Sequence, residues 1–273
     1  MTGTRLIRDL LKPGRPHRYG SHRSQRADLY LPRGRGPHPV MVVIHGGSWQ
    51  SRYGKVVMRG LAGDLARRGW AVWNIEYRRI GGGGGWPMTF ADVAAAIDQL
   101  ADVDAPLDLD RVSVLGHSAG GHLALWAAGR ELLPPGAPGQ LDGEPRVRLT
   151  RVIAQAGVCD LAGAYRLWRG GAVAALMGGS PEDLPERYAA GDPMRLLPPS
   201  VPALLVHGTL DETVSIELSR GYARAARAAG GDVELVEIAG AAGRHRAHID
   251  PRGEAWAAVT ARLSAPVAVP LAP

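Results

Sequence analysis

The stretch that decides the fold is Arg111–Ala128, "RVSVLGHSAGGHLALWAA". Arg111 to Leu115 is a short apolar run of the kind buried in a parallel sheet. Residues 120–129 favour a helix. Between them stands Gly116-His117-Ser118-Ala119-Gly120, a serine flanked by glycines where a strand meets a helix. A turn that tight leaves no room for a Cβ at either flank. It also presents the serine hydroxyl above the sheet's C-terminal edge, beside the unpaired N–H groups that open a helix.

Working outward, apolar runs alternate with helical spacing along most of the chain. Strands are expected at 27–31, 39–44, 70–75, 111–115, 151–155, 203–207 and 232–238. Helices are expected at 56–68, 90–100, 120–129, 216–229 and 254–263. Residues 27–31 read as an edge strand ending at Pro32. This rhythm predicts an α/β architecture, a mostly parallel central sheet with helices on both faces. Residues 81–85 are five glycines and read as a flexible loop. Residues 160–200 are a long excursion outside the rhythm, expected to act as a short cap that shapes a site. The domain is expected to span 27–264, between a basic arm at 1–26 and a frayed tail at 265–273.

At 273 residues, one large domain fits better than two small ones. The net charge is +6, but it is unevenly spread. Residues 1–36 hold nine basic and two acidic groups, and the rest of the chain holds 23 and 24. The body is therefore near neutral, and the arm reads as a solvated segment with no nucleic-acid or membrane partner. Cys159 is the only cysteine, so no internal disulfide forms and a cytoplasmic setting fits. No apolar run reaches membrane-spanning length, and the N-terminus has no signal-peptide pattern.

A serine needs a base to take its proton, and the base needs an acid to orient it. "ALLVHGTLDETV" places Asp211 in the loop after the strand ending at His207. "VELVEIAGAAGRHRAHIDP" places His245 and His248 in the loop after the next strand. Chain order and sheet edge both suit a catalytic triad with Ser118. "VIHGGSWQ" follows the strand ending at Ile44, where Gly46 and Gly47 can aim N–H groups at an oxyanion, with the Ala119 N–H as a further donor. Ser48, Trp49, Trp86 and His117 are candidate pocket residues. His45, His122 and His207 read as structural, and Asp92 and Asp160 as supporting or loop-capping groups. No histidine pair has metal-ligand spacing with carboxylates, so neither a metal nor a cofactor is expected.

His45-Gly46-Gly47-Ser48-Trp49, Glu76-Tyr77-Arg78, Gly85-Trp86-Pro87, the serine turn continuing to Ala124, and His207-Gly208-Thr209-Leu210-Asp211 together resemble the α/β-hydrolase fold. Within it, they are similar to the small esterase branch that includes kynurenine formamidases (arylformamidases) and related carboxylesterases. The resemblance covers about residues 25–263. It implies Ser118 as nucleophile, Asp211 as acid, and Gly46, Gly47 and Ala119 as oxyanion donors. Counting back from Ile249-Asp250-Pro251, the family's base falls on His245, followed here by Arg246 instead of Phe, with His248 as the alternative. The expected reaction is cofactor-independent hydrolysis of small carboxylic esters. Aryl-formamide hydrolysis, acyl transfer or cyclisation, and a non-catalytic binding role are the alternatives. The pattern fixes no oligomeric state, a homodimer included.

Overall fold

The computed structural model describes residues 14–263. Eight strands form one sheet: β1 (Arg15–Arg18), β2 (Arg26–Tyr30), β3 (His38–Ile44), β4 (Ala71–Ile75), β5 (Leu107–His117), β6 (Leu149–Gln155), β7 (Ala203–Gly208) and β8 (Val233–Ile238). Their spatial order is β1-β2-β4-β3-β5-β6-β7-β8. β1 and β2 run antiparallel to their neighbours, and β3 to β8 are mutually parallel. This is the mostly parallel α/β architecture that the alternation predicts, and the α/β-hydrolase fold that the resemblance implies.

Two expectations change at the sheet's first edge. β2 is not the edge strand, because Arg15–Arg18 pairs outside it, with Arg15 opposite Leu29 and Arg18 opposite Arg26. For the same reason the arm expected over 1–26 is part of the sheet from β1 onward. Four residues with little apolar content are too short a signal for a strand. Residues 1–13 and the tail 265–273 lie outside the described residues.

Among the described residues the α-helices are α1 (Arg59–Arg67), α2 (Met88–Asp98), α3 (Ala119–Ala128), α4 (Leu161–Leu167), α5 (Gly171–Met177), α6 (Pro185–Gly191), α7 (Ile216–Ala228) and α8 (Glu254–Leu263). Side chains alternate across each strand, so β3 serves both faces of the sheet. Val40, Val42 and Ile44 join one core with Phe90 of α2, Leu123 and Trp126 of α3, and Tyr222 of α7. Met41 and Val43 join the other with Leu61 and Leu65 of α1 and Trp256 and Val259 of α8. Each such burial contributes about 1.5–3 kcal/mol. No helix among the described residues is long and apolar enough to cross a membrane.

The excursion at 160–200 folds into α4, α5 and α6. Asp160 caps α4 by accepting from the Gly163 N–H (2.6 Å). Asp192, just past α6, is almost fully buried. It accepts the N–H groups of Leu161, Ala162 and Met194 at 3.0–3.1 Å, pinning the start of α4 to the end of α6. His122 and Trp126 of α3 tie the same segment down by donating to the carbonyls of Gly191 and Ala190, each at 2.9 Å.

Candidate active site

The serine turn is built by close backbone approach. A Cβ on Gly116 would lie 1.9 Å from the Gly120 carbonyl oxygen, and one on Gly120 would lie 2.1 Å from that of Ile44. With both glycines in place, Ser118 adopts φ 57° and ψ −121°, a strained conformation for a residue with a side chain. The surrounding hydrogen bonds hold it there. Its N–H donates to Gln155 O (2.9 Å), and its carbonyl accepts from the His122 N–H (3.2 Å).

Asp211 and His245 stand in the loops after β7 and β8, and a second glycine contact presses those loops together. A Cβ on Gly208 would come within 1.6 Å of the Gly243 carbonyl oxygen. His245 Nδ1 lies 2.7 Å from Asp211 Oδ2, and the Asp211 side chain has no exposure. Asp211 Oδ1 also accepts the N–H groups of Thr213 and Val214, both at 2.9 Å. Burial alone would push this carboxyl up. Hydrogen bonds from His207, His245 and the Val214 N–H outweigh it and hold the group far below the usual carboxylate range. Since an ionised Asp211 can only accept, the neutral imidazole of His245 carries its proton on Nδ1, leaving Nε2 as the basic position. No hydrogen bond joins Ser118 Oγ to that ring. Asp211 and His245 are in contact, and Ser118 lines a cleft together with Thr213 and Val214 of the Asp211 loop.

His248 sits elsewhere. It is fully buried, both of its ring nitrogens lack a hydrogen-bond partner, and burial pushes it down to about 4. It does not touch Asp211 through any hydrogen bond, so the structure assembles the pair with His245.

The loop after β3 runs through three consecutive left-handed residues, Gly47 (φ 117°), Ser48 (φ 51°) and Trp49 (φ 55°). Gly46 packs against the serine turn, where a Cβ would lie 2.9 Å from Ser118 Cβ. The N–H groups of Gly46 and Gly47 donate to no other backbone group, and the Ala119 N–H, as the first of α3, has no intrahelical acceptor. A buried network braces this loop. His45 Nδ1 donates to Gly46 O (2.7 Å) and Nε2 lies 2.7 Å from Glu76 Oε1, so a proton must sit between ring and carboxylate. Burial would raise Glu76. The His45 hydrogen bond and charge, Arg79 and the Lys55 N–H hold it below its ordinary value instead. Tyr77 stacks on His45 at 4.5 Å and donates to His45 O (2.9 Å).

A cleft of about 210 Å³ is lined by Ser48, Trp49, Ser118, Ala119, Val158, Trp168, Ala172, Thr213 and Val214. Of the candidate pocket residues, Ser48 and Trp49 line it, and Trp86 and His117 do not. Trp86 packs edge-on against Phe90 (5.2 Å). His117 donates from Nε2 to the carbonyl of His245 (3.0 Å), so it braces the loop that carries His245. Trp168 and Ala172 come from the excursion, where the sequence has no periodic signal to place them. His207, expected only to pack, does more, since its Nε2 donates to Val214 O (2.9 Å) and lies 3.5 Å from Asp211 Oδ2. Cys159 is buried beneath the site near Ser219 Oγ (3.5 Å), and burial pushes its thiol up to about 12, which leaves it unreactive. Among the described residues, no group of three or more His, Cys, Asp or Glu could hold a metal ion.

The family model described as BD-FAE matches residues 27–225. The isoprenylcysteine alpha-carbonyl methylesterase of Arabidopsis thaliana is 30% identical over 244 residues, 81% of this chain and 54% of that protein. The chain thus spans about half the length of that curated relative. Among solved structures, esterase B of Lactobacillus rhamnosis superposes with a TM-score of 0.74 at 20% identity, covering 95% of this chain and 89% of that one. A thermophilic esterase of Thermogutta terrifontis superposes at 0.68 with 24% identity, covering 86% and 85%.

Proposed function

The chain belongs to the BD-FAE family, and from that premise we propose that it hydrolyses small carboxylic esters through an acyl-enzyme on Ser118. The observation that carries the reading is the 2.7 Å bond between Asp211 and His245 Nδ1, on the sheet edge where Ser118 is held in its strained turn. Ser118 Oγ attacks the ester carbonyl while His245 Nε2 takes its proton. Asp211 holds the ring and stabilises the imidazolium that forms. The tetrahedral oxyanion is received by the free N–H groups of Gly46, Gly47 and Ala119. His245 then gives the proton to the departing alcohol, and a water activated by the same nitrogen releases the acid. The Ser118–His245 hydrogen bond is completed when substrate binds, as contacts of this kind tighten in the reacting complex.

Apolar walls from Trp49, Val158, Trp168, Ala172 and Val214, in a cleft of about 210 Å³, suit a short acyl chain. The relatives' names, all esterases, support the ester bond as the target. The segment from α4 to α6 acts as the cap, supplying Trp168 and Ala172. A fluorophosphonate probe and nitrophenyl acetate and butyrate test the reading. The intact chain is expected to be labelled and to turn over both esters. Ser118→Ala should lose labelling and at least about 10³-fold of kcat/KM. An intact chain that is neither labelled nor active overturns the proposal. Adding N-formylkynurenine to the substrates shows whether the same residues cleave a formamide faster than an ester.

A further inference from the structure

We propose that a second cleft, bordered by the residues that follow the oxyanion loop, binds a small phosphorylated ligand. The cleft encloses about 440 Å³, and its lining includes Arg23, Arg26, Lys55, Arg59 and Arg79 against one carboxylate, Glu76. It shares no lining residue with the Ser118 cleft. The segment 48–51 serves both, Ser48 and Trp49 lining one and Ser51 the other.

The cations fall into two groups. Lys55 is matched by Asp28, and Arg79 by Glu76. Glu76 is further occupied by His45. Among the described residues, Arg23, Arg26 and Arg59 face no carboxylate, so three guanidinium charges converge on the cleft uncompensated. The Arg59 Nε is buried and has no hydrogen-bond partner. Beside Lys55, which pairs with Asp28 and whose carbonyl accepts from Asn74 Nδ2, two more buried polar atoms have no hydrogen-bond partner, Asp28 Oδ2 and Asn74 Oδ1. They lie together, because Asp28 is the register partner of Asn74 across β2 and β4. Buried polar atoms are rarely left unpaired, and several grouped under one opening are what a ligand and its bridging waters would fill. Arginine forks match the oxygens of a phosphate group in pairs, and a dianion neutralises such a cluster better than a single carboxylate. Hydroxyls on the ligand, or waters it orders, would donate to Asp28 and Asn74. The inference does not rest on the ester-hydrolysis reading.

Calorimetric titration of the full chain with inorganic phosphate and with glucose 6-phosphate, at constant ionic strength, tests it. One saturable site is expected for both. Arg59→Met keeps the aliphatic stem and helix propensity, and it should weaken binding by at least about tenfold, the loss of a charge-assisted contact. Arg23→Met with Arg26→Met should weaken it similarly. Arg220→Met, whose guanidinium is held by Glu217 and Glu237, should bind like the parent. The circular dichroism and thermal melt of Arg59→Met should match those of the parent, which shows that the fold is intact. Three results overturn the proposal: no saturable binding of either anion, equal affinity in Arg59→Met, or binding only to phosphatidic acid vesicles and not to the soluble phosphates.

Discussion

The two histidines of the 245–248 turn differ in what their nitrogens touch. His245 has Asp211 on one side and is partly open on the other. His248 is sealed in with neither nitrogen bonded. We therefore expect His245→Ala to lose about 10³-fold or more of kcat/KM. His248→Leu should stay within about threefold of the parent, with an unfolding temperature no lower. Each unfilled buried nitrogen costs about 1–3 kcal/mol, and an apolar replacement of similar size removes that cost. Steady-state kinetics and a thermal melt of both variants decide it, and the reverse order of activity would make His248 the base. Ser118, Asp211 and the 245–248 turn are legible in the sequence because each chemical type sits just past a strand end. The choice of histidine is not, since both lie within one turn and tertiary contacts set which ring reaches the carboxylate, among them Gly208 on Gly243 and the hydrogen bonds of His117 and Gln155 to the carbonyls of His245 and His248. Glu76 and His207 escape as site residues for a similar reason. Their roles come from partners 31 and 4–12 residues away, His45 for the first and Asp211, Val214 and Ser219 for the second.

Among the elements, β5, its turn and α3 form the piece that sets the site, and its glycines are required for steric reasons. Gly120→Ala would drive a Cβ into the Ile44 carbonyl and should give insoluble or unfolded protein. Gly221, inside α7, has open space where a Cβ would stand, with nothing within 4 Å, and no positive φ. Gly221→Ala should therefore raise stability by about 0.5–1 kcal/mol through helix propensity and lost chain entropy. Chemical denaturation of the two variants checks both directions at once. Strands β2 to β8 and the major helices can be read from alternation, because each has a stretch facing a core. The three short helices of the excursion cannot. Their positions depend on Asp192 and on the indole and imidazole of α3, contacts between residues 30 to 69 apart in the chain.

At the scale of the whole molecule, several buried neutral histidines make the fold sensitive to acid. His122 and His248 are pushed down to about 4, and His117 lies well below its ordinary value, in each case first by burial. A histidine whose folded value lies below the unfolded value near 6.5 binds fewer protons when folded. Its contribution is complete above pH 6.5 and is lost as the pH falls from there toward 4. For His122 and His248 the loss is on the order of 3 kcal/mol each by pH 4. Asp211, with its depressed value, adds a further loss only below about pH 4. The unfolding temperature should drop by on the order of 10 °C between pH 7 and 4.5. In His122→Gln, which keeps a donor for the Gly191 carbonyl and does not titrate, the drop should be smaller, and an unchanged slope would remove His122 from the account. Burial has a different consequence at Cys159. A maleimide or iodoacetamide reagent would pass this sulfur by, so the chain behaves toward thiol chemistry as if it had no cysteine. A single new cysteine at exposed Leu167 would then carry a dye at one known place beside Trp168, whose indole would quench it and report any movement of that segment when an ester is added.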